Sequence, residues 1–211
     1  MKNNVLNFYL LANQLKDVIR TGWLELKVSK ERLESVADHV YGCMIFLIAL
    51  DSEKAIDVDI FRVIKMVIVK ELEKVTLLKE FTPREYPTFE ERKRNAYERV
   101  SKITNGLMKQ DEFMELLEEV YQKETKEAKF VDQLTKIESD AQAKIYDLSG
   151  YMTMENALED VKYFGEELAS EILPQMKNPS DGFILYDRKY YTDDMFKFLS
   201  EDIQNLEELK G

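Results

Sequence analysis

Residues 34–50 read Glu-Ser-Val-Ala-Asp-His-Val-Tyr-Gly-Cys-Met-Ile-Phe-Leu-Ile-Ala-Leu, and the rest of the chain is organised around this run. Its positions 36, 40, 43, 44, 47 and 50 are apolar, which is the spacing of one face of an α-helix. Ser35 has the side chain of an N-cap, and Asp38 follows it at the spacing of an approximate capping box. The run therefore predicts a buried helix from about Val36 to Leu50.

The single histidine of the chain, His39, lies on the first turns of this predicted helix. It borders the apolar stripe, so its ring is expected to point into the protein. A histidine in such a place is either a packed core or boundary side chain, or a ligand for a metal ion or phosphate. A lone histidine is more often packed, and the residue itself leaves both interpretations open.

The composition indicates an all-α protein. The chain has 211 residues with only seven glycines and four prolines, and few segments alternate in the way of strands. We expect at least six helices, with the His39 helix packed against the third one. The predicted helices cover about residues 3–18, 36–50, 57–79, 89–108, 111–123, 126–148, 154–173 and 192–209. Residues 20–23 are expected to break the first helix, residues 24–34 to form a connecting loop, and residues 82–87 another loop.

The C-terminal region is expected to form an extension. Residues 1–150 are predicted to be a helical core and residues 151–211 a helical segment packed on it. Residues 178–182 have turn composition, and Phe183-Ile-Leu-Tyr186 with Arg188-Lys-Tyr-Tyr191 is a possible small β-hairpin. The aromatic side chains between 183 and 198 either pack on the bundle or form a homodimer interface.

The charge of the chain excludes one class of partner. The formal net charge is −11, and the first 105 residues are slightly basic whereas the rest is strongly acidic. A polymer of DNA or RNA needs a basic surface, so it is not an expected partner. A small phosphate-bearing ligand fits only the first half of the chain.

A cytoplasmic location is expected for this acidic protein. It has one cysteine, Cys43, so no disulfide can form within the chain. Cys43 reads as a small core residue rather than a nucleophile, because no second histidine is present to activate it. No apolar run reaches 18 residues and no signal-peptide pattern is seen, so no membrane association is expected.

Three motifs resemble a known family. Arg20-Thr-Gly-Trp23, Glu34-Ser-Val-Ala-Asp-His39 and Glu127-Ala-Lys-Phe-Val131 are similar, in order and spacing, to the 5′-deoxyribonucleotidase-like branch of the HD-domain phosphohydrolases. The resemblance covers roughly residues 5–150 and implies an all-α bundle. It also implies hydrolysis of deoxynucleoside monophosphates with a divalent metal, such as Mn²⁺, Co²⁺ or Mg²⁺. The family's ligands are a histidine, a later His-Asp pair and a final aspartate.

The resemblance places these ligands on His39, Lys70, Glu71 and Thr135. Only His39 has the residue type of the family, so three of the four positions differ. Of those three, Glu71 alone still has a side chain that can bind a metal. The family's acidic residue after the His-Asp pair falls on Lys74, and a further aspartate falls near Lys79, with Glu80 beside it. A lysine at position 70 puts an ammonium where the family holds its metal, and the two charges would repel.

Three interpretations of function follow. In the first, the chain is a catalytically inactive HD-domain protein, a pseudoenzyme that binds a nucleotide or phosphate or serves in assembly, with no cofactor. In the second, it is an active phosphohydrolase on nucleoside monophosphates with a shifted ligand set such as His39, Glu71 and Asp132. In the third, it is a helical scaffold without a ligand. Metal content distinguishes the second interpretation from the other two.

The ligand-binding candidates are Arg20, Trp23, His39 and Lys70. The resemblance makes Arg20 and Trp23 substrate-contacting residues, with Arg20 on a phosphate and Trp23 stacked on a base or walling the pocket. A surface arginine and a core tryptophan are the alternatives. Lys70 is expected to need an acidic partner, and Asp38 on the facing helix is the predicted one.

Overall fold

The all-α prediction is confirmed. The structure, a computed structural model, describes residues 3–53, 56–75 and 88–209. These residues form eleven α-helices, and their one β-type pairing is an isolated antiparallel bridge between Ile19 and Ser35. None of the described helices has the length and apolar character needed to cross a bilayer.

The helices are numbered in chain order, and some of them are followed by short 3₁₀ turns. Among these turns are Asn13–Lys16, Lys162–Phe164 and Leu173–Gln175. The α-helices are α1 Asn4–Ala12, α2 Thr21–Glu25, α3 Val36–Glu53, α4 Ile60–Leu72, α5 Phe89–Thr104, α6 Gln110–Gln122, α7 Lys126–Leu148, α8 Met154–Val161, α9 Glu166–Ile172, α10 Asp181–Arg188 and α11 Asp194–Gln204.

The contacts of the chain divide it into two compact units. The first unit comprises the described parts of Met1–Thr21 and Glu34–Asp132, and the second those of Gly22–Leu33 and Gln133–Gly211. The predicted division into a core of residues 1–150 and an extension of residues 151–211 stays a prediction.

The first unit is built on α3, α4, α5 and α6. Helix α3 packs against α4, as the sequence predicts, and α4 also packs against α5 and α6. The buried residues of α3 recur at helical spacing, which is why this face turns inward. They are Val36, His39, Cys43 and Leu47. In α4 the apolar run is buried at Met66, Val67 and Val69.

The predicted capping box at the start of α3 is confirmed. The Asp38 carboxylate accepts hydrogen bonds from the Ser35 backbone N–H at 3.0 Å and from the Ser35 hydroxyl at 2.9 Å. The Asp38 N–H in turn donates to Ser35 Oγ at 3.2 Å. This reciprocal arrangement satisfies backbone donors that a helix start leaves open, so it fixes where α3 begins.

The second unit has a core around Trp23. Trp23 packs with Leu26 and Val28 from its own segment and with Ala143 and Tyr146 of α7. A second apolar cluster joins the helices α8, α9 and α10 around Val161, Ala169, Ile172 and Leu185.

The predicted C-terminal hairpin is wrong, because both of its arms fall in or just after helix α10. The carboxylate of Asp181, at the first position of α10, accepts backbone N–H bonds from Lys177 at 2.6 Å and Asn178 at 2.8 Å. This bonding closes the preceding turn onto a helix start rather than onto a strand. Ile184 and Leu185 are buried, and the rings of Tyr186 and Tyr190 meet at 5.6 Å, one helical turn apart.

Other boundaries also differ from the prediction. The short helix α2 lies across the expected break at residues 20–23 and the start of the expected loop at 24–34. The expected helix 154–173 is interrupted at Gly165, which has φ of 92°. The last helix is capped by Asp193, whose side chain accepts from the Met195 N–H, rather than by Thr192. The predicted helix over 57–79 begins at Ile60 as α4. Its last residues, 76–79, lie outside the described residues, as does the predicted loop at 82–87.

Candidate functional site

His39 lies on the inner face of α3, within the first unit. Its side chain is buried, and its backbone N–H continues the helix by donating to the Ser35 carbonyl at 3.0 Å. Cys43 follows one turn later and is also buried, with Sγ 3.8 Å from Nε2 and 4.0 Å from Nδ1 of His39. The expectation that the ring points into the protein is therefore confirmed.

The imidazole of His39 is held neutral in a positive field. Burial lowers the pKa of His39 well below its ordinary value, and the charges of Arg20, Lys74 and Lys70 lower it further. A protonated ring would be poorly solvated and would face three cations, so the neutral form is favoured. These four residues of the first unit are called the His39 site below.

Arg20 is positioned by a short antiparallel pairing with the start of α3. Its N–H donates to the Glu34 carbonyl at 3.0 Å, and the Val36 N–H donates to the Val18 carbonyl at 2.7 Å. The guanidinium Nη1 lies 3.7 Å from Glu34 Oε2, and the Arg20 side chain is 15% exposed. Arg20 is therefore half-buried rather than a solvated surface residue.

Glu71 is the one carboxylate among the four positions at which the sequence resemblance places metal ligands, and it forms an ion pair with a lysine. The ammonium of Lys74 lies 2.5 Å from Glu71 Oε2, three residues apart on the C-terminal part of α4 and its continuation. The Glu71 side chain is 2% exposed and that of Lys74 is 13% exposed, so the pair is largely withdrawn from water. Sequence reasoning missed this pair, although the i, i+3 spacing of Glu and Lys is a recognisable signal.

Lys70 is half-buried on the same helix. Asp38, its predicted partner, uses one oxygen for the α3 cap. The pairing of Lys70 with Asp38 stays a prediction. The structure does show that Lys74 forms an ion pair with Glu71.

Helix α7 carries the remaining candidates. Asp132 forms an ion pair with Lys123 at 2.8 Å. Thr135 and Glu138 are both buried in the described structure. Sequence reasoning did not single out Glu138, which, like His39 and Cys43, is a buried side chain of a metal-ligating type.

Trp23 is a core residue in the second unit. It is 1% exposed, it meets Tyr146 edge to face at 5.3 Å, and its ring lies 5.4 Å from that of Phe183. The sequence left open whether Trp23 contacts a ligand or packs in the core. In the structure it packs among the core side chains of the second unit.

The fold and these residues define a class of protein. The sequence model of the HD domain matches residues 12–177, so the chain belongs to the HD-domain family. Curated relatives are 5′-deoxynucleotidases. The protein HDDC2 of Dictyostelium discoideum is 31% identical over 169 residues, which are 77% of this chain and 87% of that protein. HDDC2 of Homo sapiens is 32% identical over 147 residues, 68% of this chain and 69% of that protein. The resemblance seen in the sequence is confirmed.

Solved structures support the fold. A conserved hypothetical protein from Pyrococcus furiosus has a TM-score of 0.59 at 23% identity, over 95% of this chain and 99% of that one. A predicted metal-dependent phosphohydrolase from Magnetospirillum magnetotacticum has a TM-score of 0.56 at 20% identity, over 95% of this chain and 94% of that one. At these identities the likeness concerns the fold alone.

Proposed function

We propose that this HD-domain protein binds a small phosphate-bearing ligand of the nucleoside monophosphate class at the His39 site and does not carry out metal-dependent hydrolysis. The observation that carries the proposal is the presence of the half-buried Arg20 and the largely buried Lys74 in the same unit as the buried His39, whose pKa is lowered by burial and by the charges of Arg20, Lys74 and Lys70. Arginine and lysine are the side chains that bind phosphate, the first as a fork and the second as a point charge.

The residues at the family's ligand positions do not fit a divalent cation. Glu71 already accepts the ammonium of Lys74, and the field at His39 is positive. A dication placed there would have to displace the Lys74 ammonium from Glu71 and would be repelled by the charge of Lys70, and a catalytic site ordinarily offers three protein ligands. No catalytic role is therefore assigned to these side chains.

The relatives' activity supports the choice of ligand class. They are named for removing phosphate from deoxynucleotides, so a related site that carries cations would still favour a monophosphate. Trp23 is buried in the second-unit core, so we assign it no contact with a base. We therefore expect the phosphate to dominate affinity and the base to contribute little selectivity.

The test is calorimetric titration with the four deoxynucleoside monophosphates and the matching nucleosides. Monophosphates should bind with dissociation constants below about 1 mM, and nucleosides should not bind measurably. Lys70→Met should weaken binding at least about tenfold because it removes a charge from the site. Lys102→Met, an exposed lysine on α5, is the matched control and should leave affinity unchanged.

Failure to detect heat with any monophosphate would contradict retained phosphate binding and favour the third interpretation, a helical scaffold. Equal weakening by Lys70→Met and Lys102→Met would also contradict it, because the charge effect would then be non-specific. Circular dichroism of each variant distinguishes lost binding from lost folding.

The second candidate function is a phosphohydrolase using Mn²⁺, Co²⁺ or Mg²⁺ with the shifted ligands His39, Glu71 and Asp132. It requires the pairs Glu71–Lys74 and Asp132–Lys123 to open, which counts against it. Metal content after purification without chelator, and release of phosphate from deoxynucleotides, test it directly. A stoichiometric metal together with activity lost in His39→Ala would establish this function in place of the first.

A further inference from the structure

An apolar pocket opens in the first unit away from the residues of the His39 site. Its volume is about 370 Å³, within the range of small-molecule sites. Its wall is formed by Phe8 of α1, Ile68 and Val69 of α4, and Phe113 and Leu116 of α6. None of the residues of the His39 site lines it, so it is a separate feature of the fold.

The wall of the pocket is built from side chains that pack on one another. The rings of Phe8 and Phe113 meet edge to face, with centroids 5.5 Å apart. Val69 and Leu116 are buried core residues, and Ile68 is half-buried at the surface of α4. A ligand entering here would exchange water for hydrocarbon, which is the main source of affinity in such sites.

Three partly or largely exposed charged side chains also line the pocket and are called its mouth below: Lys65, Lys109 and Glu112, two ammonium groups against one carboxylate. Lys65 of α4 forms an ion pair with Glu112 of α6, and Lys109 lies 3.5 Å from the other oxygen of Glu112. The Glu112 carboxylate is thus shared by the ammonium groups of Lys65 and Lys109. Lys109, 79% exposed, can turn toward a ligand without breaking the Lys65–Glu112 pair.

We propose that this pocket binds an amphipathic monoanion: an alkyl chain or ring in the apolar wall and one carboxylate at the two lysines. The two lysines and Glu112 together leave one positive charge uncompensated. A head group with a single negative charge balances it, so an anionic ligand is favoured. A cationic head group would meet two ammonium groups, and a neutral one would leave the excess charge uncompensated. This proposal does not depend on the function proposed for the His39 site.

The test is a calorimetric series of straight-chain carboxylates: butanoate, hexanoate, octanoate and decanoate. Affinity should rise about fourfold for each added methylene until the pocket is full, and then level off. Octanoate should bind at least about tenfold more tightly than octanol or octylammonium. Equal affinity for octanol would overturn the assignment of an anionic ligand, and no binding across the series would overturn the site.

Two variants locate the binding. Ile68→Trp should fill the pocket and abolish octanoate binding, and Lys109→Met should remove the preference for octanoate over octanol while leaving octanol binding unchanged. Lys102→Met is the matched charge control and should alter neither. Octanoate binding that persists in folded Ile68→Trp would place the ligand elsewhere and overturn the proposal.

The remaining alternative occupant is a second copy of the chain. Sedimentation velocity of the wild type and Ile68→Trp distinguishes it from a small ligand. A wild-type dimer that Ile68→Trp converts to a monomer would show that this face is a subunit interface, contrary to the proposal. An oligomeric state unchanged by the variant is the expected result. The predicted homodimer as such stays a prediction.

Discussion

At the residue scale, the main consequence of the structure is the buried ion pair between Glu71 and Lys74. The sequence resemblance puts Glu71 at a metal-ligand position, and in the structure the ammonium of Lys74 lies against its carboxylate. Removing one partner of a buried ion pair leaves an uncompensated charge, which is costly, whereas removing both partners costs much less. This coupling can be measured.

Lys74→Met should destabilise the fold by about 3 kcal/mol, because it leaves the Glu71 carboxylate buried without its cation. Combining it with Glu71→Gln should cost much less than the sum of the two single changes. Urea unfolding of the four proteins gives the coupling energy. The control is the exposed pair Lys197 and Asp194 on α11, which has the same i, i+3 spacing and should show a far smaller coupling. Additive single-mutant costs at Lys74 and Glu71 would argue against a buried pair.

A second residue-scale prediction concerns Asp140 on α7. One oxygen accepts from the Tyr191 hydroxyl at 2.7 Å, and the other, Oδ1, is buried without a hydrogen-bond partner. Burial raises the pKa of Asp140 well above its ordinary value, and the charge of Asp187 raises it further. Between the ordinary and the raised pKa, the folded state keeps a proton that the unfolded state has released. Stability contributed by this group is therefore lost as the pH rises through that window.

Asp140→Asn should remove this pH dependence, because an amide does not titrate and its oxygen can still accept from Tyr191. The difference in unfolding free energy between the variant and the wild type should grow in the variant's favour above pH ~4, by at most about 1.4 kcal/mol per pH unit. Urea midpoints from pH 4 to 8 measure it. Asp202→Asn, exposed on α11, is the control. Parallel curves for wild type and Asp140→Asn would refute the assignment.

At the element scale, helix α10 shows how packing overrides local preference. Gly182 lies at its second position, and a Cβ added there would stand 2.6 Å from Val161 Cγ2 and 3.2 Å from Met176 Cε. Close packing of α10 on α8 therefore requires a glycine. Gly22 in α2 is also helical, but nothing lies within 4 Å of its added Cβ.

Alanine at the two glycines should have opposite effects. Gly182→Ala should destabilise the protein by about 1 kcal/mol net, because an overpacking cost of about 1–3 kcal/mol exceeds the gain of about 1 kcal/mol in helix propensity. Gly22→Ala should be neutral or stabilising by up to about 1 kcal/mol. Thermal midpoints of the two variants test this, each serving as the control for the other. A rise in the midpoint of Gly182→Ala would contradict the packing argument.

At the scale of the whole molecule, one helix contributes to both compact units. Helix α7 buries Phe130 and Val131 in the first unit and Ile137 and Ala143 in the second. Because helix formation is cooperative, melting of α7 should remove core side chains from both units together. The two units are therefore expected to unfold in one transition.

The chain provides one natural probe in each unit. Trp23 is its single tryptophan and Cys43 its single cysteine, and both are buried. Tryptophan fluorescence and pulsed alkylation of the thiol should report coincident urea midpoints, and far-UV circular dichroism should agree with both. Two separated midpoints would show that the units unfold independently.

The sequence determined what depends on neighbours along the chain. The helix over 126–148 matches α7, and the Ser35–Asp38 cap marks the start of α3, because apolar spacing and capping act within a few residues. The three short motifs likewise indicated the family to which the chain belongs. The inward direction of the His39 side chain follows from its place beside the apolar stripe of α3.

The tertiary structure decided what depends on distant partners. Phe183–Tyr186 has the composition of a strand, yet it is helical: the Asp181 carboxylate bonds the preceding turn at the start of α10, and Gly182 lets the helix lie close to Val161. Whether Trp23 would face a ligand or a core was undetermined until Tyr146 and Phe183, more than a hundred residues away, were placed against it. Local sequence fixes the direction of a side chain on its helix, but only the packing of distant segments determines what that side chain meets.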